Sequence, residues 1–82
     1  MKNVFEYKIE YELDKKSGKV VATIPELNSV SSYGDTFAEA EANVHEAVVG
    51  YIEVLQRRGK KVPPTSFKTQ GTYLKLLIPQ VI

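Results

Sequence analysis

The sequence predicts an α+β fold in which one small antiparallel sheet carries a single long helix on one face. Residues 4–13 alternate strictly between apolar and polar side chains, and residues 36–58 show the period of an amphipathic helix. A second strand-like run, rich in β-branched residues, follows the first after a short polar loop. The expected order is β-β-β-α-β, and 82 residues form one domain, residues 1–82.

The first two strands are expected to form a hairpin. Over residues 4–13 the alternation gives the strand one buried face and one wet face. Residues 14–18 are polar and end in Gly18, as in a normal hairpin loop. Residues 19–25 form the second strand, and Pro25 ends it because proline cannot donate a hydrogen bond to the ladder.

Two further strands complete the predicted sheet. Residues 29–33 form a weaker third strand before the helix, and residues 72–78 form the last strand after a polar loop. The chain stays apolar as far as Ile82, whereas a free terminus is normally polar. We therefore expect the tail to dock, either as an edge strand of its own sheet or across a dimer.

The helix over residues 36–58 has well-marked ends. Thr36 and Glu39 form a capping box, in which each side chain accepts a hydrogen bond from the other residue's amide. Asp35 adds negative charge at the positive end of the helix dipole, and Gly34 is expected to take a positive φ that ends the strand sharply. Basic residues, a glycine and two prolines mark the other end: Arg57, Arg58, Gly59, Pro63 and Pro64.

Composition excludes several classes of function. The net charge of +1 gives no support to binding of nucleic acid or of an anionic membrane. The absence of cysteine excludes disulfides, thiolate metal sites and thiol nucleophiles. The chain opens directly on a strand pattern and has no apolar run of about 20 residues, so we expect a soluble cytoplasmic protein.

No residue pattern predicts catalysis, a metal site or a cofactor. His45 is the only histidine, and a ligand or general base would need a second His or Cys beside it. Glu41 and Glu46 lie about 140° apart around the helix and do not converge. Glu39 and Glu46 do share a face, so a metal-dependent nuclease is kept as an alternative. We expect that the chain is not an enzyme.

Two other features of the helix have two interpretations each. The basic cluster at its end, Arg57-Arg58-Gly59-Lys60-Lys61, either complements the helix dipole or binds phosphate. Gly50, in the middle of the helix, costs close to 1 kcal/mol relative to alanine. It either permits the close approach of a neighbouring element or has no special role.

The order of several short motifs resembles the HicB family, the antitoxin half of HicA–HicB toxin–antitoxin pairs. The resemblance covers residues 4–64 and rests on a Val/Ala-rich strand that ends in Pro-Glu-Leu, a G-D-T-x-x-E-A-x-x-N-x-x-E-A run and a proline loop. These are Val20-Val21-Ala22, Pro25-Glu26-Leu27, Gly34-Asp35-Thr36, Glu39-Ala40, Asn43, Glu46-Ala47 and Pro63-Pro64. The chain departs from the family at Ser29-Val30, where many members have Gly-Cys.

The resemblance implies a degraded RNase H-like fold that has lost the nuclease carboxylates. It implies a non-catalytic antitoxin module that binds and masks a small basic mRNA-cleaving HicA-type toxin. The alternative is an orphan HicB-fold domain, a homo-oligomer with an unknown partner. Residues 65–82 are too short for the C-terminal DNA-binding segment of many members, so no direct contact with nucleic acid is expected. We expect no membrane contact and a homodimer or tetramer.

The residues expected to matter form two sets. A basic toxin would meet acidic surface, for which the strand offers Glu6, Glu10 and Glu12. The candidate partner-binding residues are Tyr33, Glu39, Glu41, Glu46 and Glu53. The residues expected to serve the helix start structurally are Gly34, Asp35, Thr36 and Glu39.

Overall fold

The computed structural model describes residues 2–64 and 71–79, with side chains for residues 5–64 and 71–75. Its elements are β1 (Lys2–Leu13), β2 (Val20–Ile24), β3 (Val30–Gly34), α1 (Phe37–Arg57) and β4 (Thr72–Pro79). A single 3-10 turn, Pro25–Leu27, follows β2. The predicted α+β class and the order β-β-β-α-β are confirmed, and each boundary lies within two residues of its predicted position.

The four strands form one antiparallel sheet in the order β3-β2-β1-β4. β1 is much longer than its neighbours and divides its length between them. Residues 2–9 pair with β4, from Lys2 opposite Pro79 to Ile9 opposite Thr72. Residues 10–13 pair with β2. The last strand therefore lies beside the first within one chain, and residues 80–82 of the predicted docking tail lie outside the described residues.

α1 covers one face of the sheet and buries a single stripe of small aliphatic side chains. Every fourth residue of the helix belongs to this stripe, as the 3.6-residue period predicts. The sheet contributes the alternate residues that point toward the helix. The buried core consists of Tyr7, Ile9, Val20, Ala22, Ile24, Leu27, Ala40, Val44, Val48, Ile52 and Leu74.

The apolar pattern assigns Phe37 and Leu13 to the core, yet both are largely exposed, at 60% and 59%. Phe37 is the first residue of α1 and Leu13 is the last residue of β1. β4 begins opposite Ile9 and so does not extend beside the end of β1. These side chains have the correct periodicity but lie where the opposing layer has ended.

Gly34 is required for a different reason from the one expected. Its φ lies outside the left-handed region, so the prediction of a positive φ was wrong. A Cβ at this position would lie 2.6 Å from the backbone nitrogen of Ala40 and 2.8 Å from the Cβ of Glu39. The absent side chain lets the first turn of α1 lie directly against the end of β3.

The capping box at the start of α1 is present in modified form. The amide of Glu39 donates to the Thr36 hydroxyl at 3.1 Å, as predicted. The Glu39 carboxylate accepts from the amide of Asp35, at 3.3 Å, and not from that of Thr36. The expected return bond of the box is therefore displaced by one residue, because the side chain reaches past the N-cap.

The helix ends in a Schellman motif at the predicted glycine. Gly59 has a φ of +67°, and its amide donates to the carbonyl of Gln56 at 3.1 Å. The amide of Lys60 donates to the carbonyl of Leu55 at 2.8 Å. The chain that follows returns to the sheet, where the buried Tyr7 hydroxyl donates to the carbonyl of Pro63 at 2.5 Å.

The 3-10 turn after β2 closes part of the sheet. Leu27 is fully buried in the core, and the Glu26 carboxylate accepts from the amide of Lys8 at 3.3 Å, just beyond the end of β2. Asn28 and Ser29 then take positive φ values of 55° and 56° and turn the chain into β3. No helix in the described part of the chain is long and apolar enough to cross a lipid bilayer.

Candidate functional site

The outer surface of α1 presents a row of carboxylates. Glu39, Glu46 and Glu53 follow one another at intervals of seven residues, which returns to nearly the same direction around a helix. They lie opposite the buried stripe, and the first two are exposed while Glu53 is partly exposed. The row extends along the helix for about 21 Å, given a rise of about 1.5 Å per residue.

Glu41 lies apart from this row, on the flank of α1 that faces β1. Its carboxylate accepts from the Tyr11 hydroxyl at 3.1 Å. The Tyr11 ring meets the Phe37 ring edge to face, with centroids 5.3 Å apart. Desolvation raises the pKa of Tyr11, and the hydrogen bond and negative charge of Glu41 raise it further. The exposed end of the sheet thus carries an aromatic pair bounded by a carboxylate.

The Tyr33 side chain lies on the open face of the sheet, away from Glu46 and Glu53 of α1. Its neighbour Gly34 faces α1, so the Tyr33 side chain points to the open face of the sheet, where it is 61% exposed. Its backbone carbonyl accepts from the Asn43 side chain at 2.8 Å, which ties α1 to β3. The structure therefore separates Tyr33 from Glu46 and Glu53, farther along α1. Glu39 differs from them, since Tyr33 and Glu39 both lie within electrostatic reach of the Lys19 ammonium.

The open face of the sheet is also acidic where β1 pairs with β2. Glu10 and Glu12 are exposed there, in register with Thr23 and Val21. A shallow depression of about 440 Å³ is lined by Glu10, Tyr11, Glu12, Thr23, Pro25 and Ser29. Carboxylate and hydroxyl oxygens of this kind accept hydrogen bonds from cationic side chains.

The four residues expected at the helix start make different contacts in the structure. Gly34 provides the close approach and Thr36 provides the cap. Asp35 pairs with the Lys19 ammonium, and this hydrogen bond and the negative charge raise the pKa of Lys19. Glu39 therefore combines a capping role with a place in the outer row.

The predictions missed an open backbone edge on β1. The amides of Lys8 and Asp14 donate to Glu26 and to the carbonyl of Lys19, both on the β2 side. Because backbone groups alternate in direction along a strand, those of Tyr11 and Leu13 point to the opposite side. β4 begins opposite Ile9, so nothing in the described ranges pairs with them there. The unequal strand lengths, β1 being the longest, are the signal that could have revealed this edge.

No group of three or more His, Asp or Glu side chains within the described residues is arranged to hold a metal ion. His45 is partly buried on the flank of α1, one turn beyond Glu41. The acidic surfaces are open and shallow, and they are suited to contact with another macromolecule.

Comparisons with known proteins agree with the fold. The family described as HicB-like antitoxin of bacterial toxin–antitoxin systems matches residues 7–72. Among solved structures, the N-terminal domain of the antitoxin HicB from Burkholderia pseudomallei is similar, with a TM-score of 0.63 and 25% sequence identity. That match covers 95% of this chain and 100% of the other. A comparison with curated protein sequences finds no match.

Proposed function

The chain belongs to the HicB-like antitoxin family, and from this premise we propose that it binds and masks a small basic mRNA-cleaving toxin of the HicA type. The single observation that carries the proposal is the family match over residues 7–72, which is most of the chain. In this role the chain is non-catalytic and acts in the cytoplasm. It inhibits by covering the RNA-binding surface of the toxin.

The charge distribution supports this function. The outer row of Glu39, Glu46 and Glu53 and the flanking Glu41 present carboxylates to solvent along α1. Opposite charge steers two proteins toward each other and orients them on encounter. A basic surface that binds RNA phosphates offers the complementary charge. We propose that the helix carboxylates direct the toxin onto this antitoxin.

Affinity requires buried apolar contacts in addition to charge. A stable interface buries about 1,200–2,000 Å², and a few aromatic or aliphatic residues supply most of the binding energy. Among the described side chains, the large exposed apolar ones are Leu13, Tyr33, Phe37 and Val54. Tyr33 is the proposed anchor on the open face of the sheet, and Phe37 lies closer to the helix carboxylates.

Co-expression with the immediate gene neighbours, followed by size-exclusion chromatography with light scattering, tests the proposal. We expect a stable complex with a small basic protein whose RNA cleavage is inhibited in the complex. The same measurement gives the mass of the free chain, for which we propose a homodimer or tetramer. A homo-oligomer that captures no neighbour would overturn the antitoxin function and favour the orphan domain.

Charge reversal tests the role of the helix. The double variant Glu41→Lys/Glu46→Lys should weaken toxin binding at least tenfold, an energy of about 1.4 kcal/mol. The matched variant Glu41→Gln/Glu46→Gln removes charge without reversing it and should lose less. Equal binding by all three proteins would show that the toxin does not use this surface.

A further inference from the structure

Within the part of the chain that the structure describes, the end of β1 combines a backbone edge without a strand partner with exposed apolar side chains. We propose that an extended, basic segment of the protein partner adds there as an extra strand, beside residues 10–13 and in line with β4. This inference rests on the proposed function, since the partner is the toxin. The β1 notch is defined as the edge of residues 10–13 with the side chains of Tyr11, Leu13 and Phe37.

The backbone of the notch can hold a strand. Tyr11 and Leu13 each direct one amide and one carbonyl to this side, as the opposite directions of the Lys8 and Asp14 amides require. Four residues of strand span about 13 Å. Addition of a strand to an open edge gains main-chain hydrogen bonds, and the flanking side-chain surfaces give specificity.

The helix-facing surface of the notch is apolar. Leu13 and Phe37 are 59% and 60% exposed, although both occupy positions whose spacing is that of the core. The Tyr11 and Phe37 rings pack together with their centroids 5.3 Å apart. Tyr11 extends the apolar surface from Phe37 toward the core. Alternate side chains of an added strand would cover Leu13 and Phe37 in the way that β4 covers the first half of β1.

The other surface of the notch is acidic and argues against a second copy of the chain as the occupant. In any two-fold symmetric antiparallel pairing of this edge with itself, even-numbered residues stand opposite even-numbered residues. Those residues are Glu10, Glu12 and Asp14, so self-pairing would place carboxylate against carboxylate. An added strand with Lys or Arg at alternate positions replaces this repulsion with attraction. Glu41 adds a further exposed carboxylate on the helix side.

A capped peptide of about seven residues that alternates lysine and valine is a suitable probe for this recognition mode. Addition of the peptide to the isotopically labelled chain should shift the NMR signals of the Tyr11 and Leu13 amides and protect them from hydrogen exchange. The amides of Glu10 and Glu12 already point into the ladder with β2 and should gain little protection. Peptide-induced changes that spare Tyr11 and Leu13 would overturn the proposal.

Two variants sharpen the test. Leu13→Lys places a repulsive charge in the notch and should weaken peptide binding at least tenfold. The matched control Val54→Lys changes an exposed apolar residue near the other end of α1, far from the notch. It should bind the peptide as tightly as the parent chain. The double variant Glu10→Lys/Glu12→Lys should bind a peptide that alternates glutamate and valine more tightly than the lysine–valine peptide. Equal binding by the Leu13→Lys and Val54→Lys variants would refute the notch as the site.

The toxin complex separates this inference from the proposed function. Loss of the complex in Leu13→Lys but not in Val54→Lys supports both proposals. A complex that persists in Leu13→Lys leaves the antitoxin function standing and overturns the notch. Failure of the parent chain to bind any neighbour overturns the proposed function and the assignment of the toxin as occupant. Protection of the Tyr11 and Leu13 amides in the free chain would show that the chain itself occupies the notch.

Discussion

Gly34 and Ala40 meet backbone against backbone, since a Cβ added to Gly34 would lie 2.6 Å from the nitrogen of Ala40. The contact joins the last residue of β3 to the first buried residue of α1. It sets how closely the helix lies on the sheet where the chain passes from one layer to the other. The N-cap residue Thr36 lies between the two positions.

Gly34→Ala should destabilise the fold through this contact. Two of the three clashing atoms belong to the backbone and the third is the Cβ of Glu39, so none can move aside without shifting the first turn of α1. We expect a loss of roughly 1–3 kcal/mol in the free energy of unfolding, the usual range for overpacking. Urea denaturation measures it, and a stability equal to that of the parent chain would contradict the close approach.

Gly50→Ala should have the opposite effect. Gly50 is exposed within α1, and no described atom lies within 4 Å of the position that a Cβ would occupy. Alanine in a helix interior is favoured over glycine by about 1 kcal/mol. The same urea titration should show a gain of about that size. A loss would mean that another surface packs closely on this part of the helix.

Ser29→Gly should stabilise the turn into β3. Ser29 has a φ of 56°, a left-handed conformation that costs a non-glycine residue roughly 1–2 kcal/mol. Glycine removes this strain, but it also raises the conformational entropy of the unfolded chain. We therefore expect a net increase of about 0.5 kcal/mol in the free energy of unfolding. Asn28 has a similar φ, but asparagine tolerates it, so Asn28→Gly is the control and should gain less.

Alkaline pH should lower the free energy of unfolding through ionisation of Tyr7. Burial, and secondarily the negative charge of Glu26, raises the pKa of Tyr7 from 10.0 to about 12. The neutral phenol is the form that the fold accommodates, so its contribution is complete below pH 10. It is lost as the pH rises from 10 to about 12. Circular dichroism across this range should show a falling free energy of unfolding.

Tyr7→Phe is the matched variant for this pH dependence. It removes the titrating group together with the hydrogen bond to the Pro63 carbonyl. We expect the free energy of unfolding to fall by about 1 kcal/mol at neutral pH. Above pH 10 it should decrease with pH less steeply than in the parent chain. The pKa of Tyr11 is also raised, so some alkaline dependence should persist. If the free energy of unfolding of the variant falls as steeply above pH 10 as that of the parent chain, Tyr7 is excluded as the cause.

The fold could be predicted largely from local patterns. Alternation identified β1, the 3.6-residue period identified α1, and the cap residues placed its ends. These signals depend on neighbours within a few residues, which the sequence displays directly. The family resemblance came from the order of the same short motifs, and the match over residues 7–72 bears it out.

The arrangement of the candidate site depended on relations that local patterns do not contain. Tyr33 and the helix carboxylates lie on opposite layers because Gly34, one residue later, faces the helix. Phe37 and Leu13 have the periodicity of core residues, but their exposure depends on where β4 begins. The open edge at Tyr11 follows from the same unequal strand lengths, which appear only when the partners of β1 are known.

The division of β1 between two partners has a consequence for how the chain acquires its fold. Residues 10–13 pair with β2 across a short loop, so this hairpin can form early and at a small cost in loop-closure entropy. Residues 2–9 cannot pair until β4 is present. Even the pair closest in sequence, Ile9 with Thr72, is separated by 63 residues of chain. On the ribosome, the first half of β1 is synthesised well before its partner strand emerges. A newly made chain therefore carries an unpaired strand segment, with apolar residues at alternate positions, until β4 has been synthesised. During this interval we expect it to be most exposed to proteases and to aggregation.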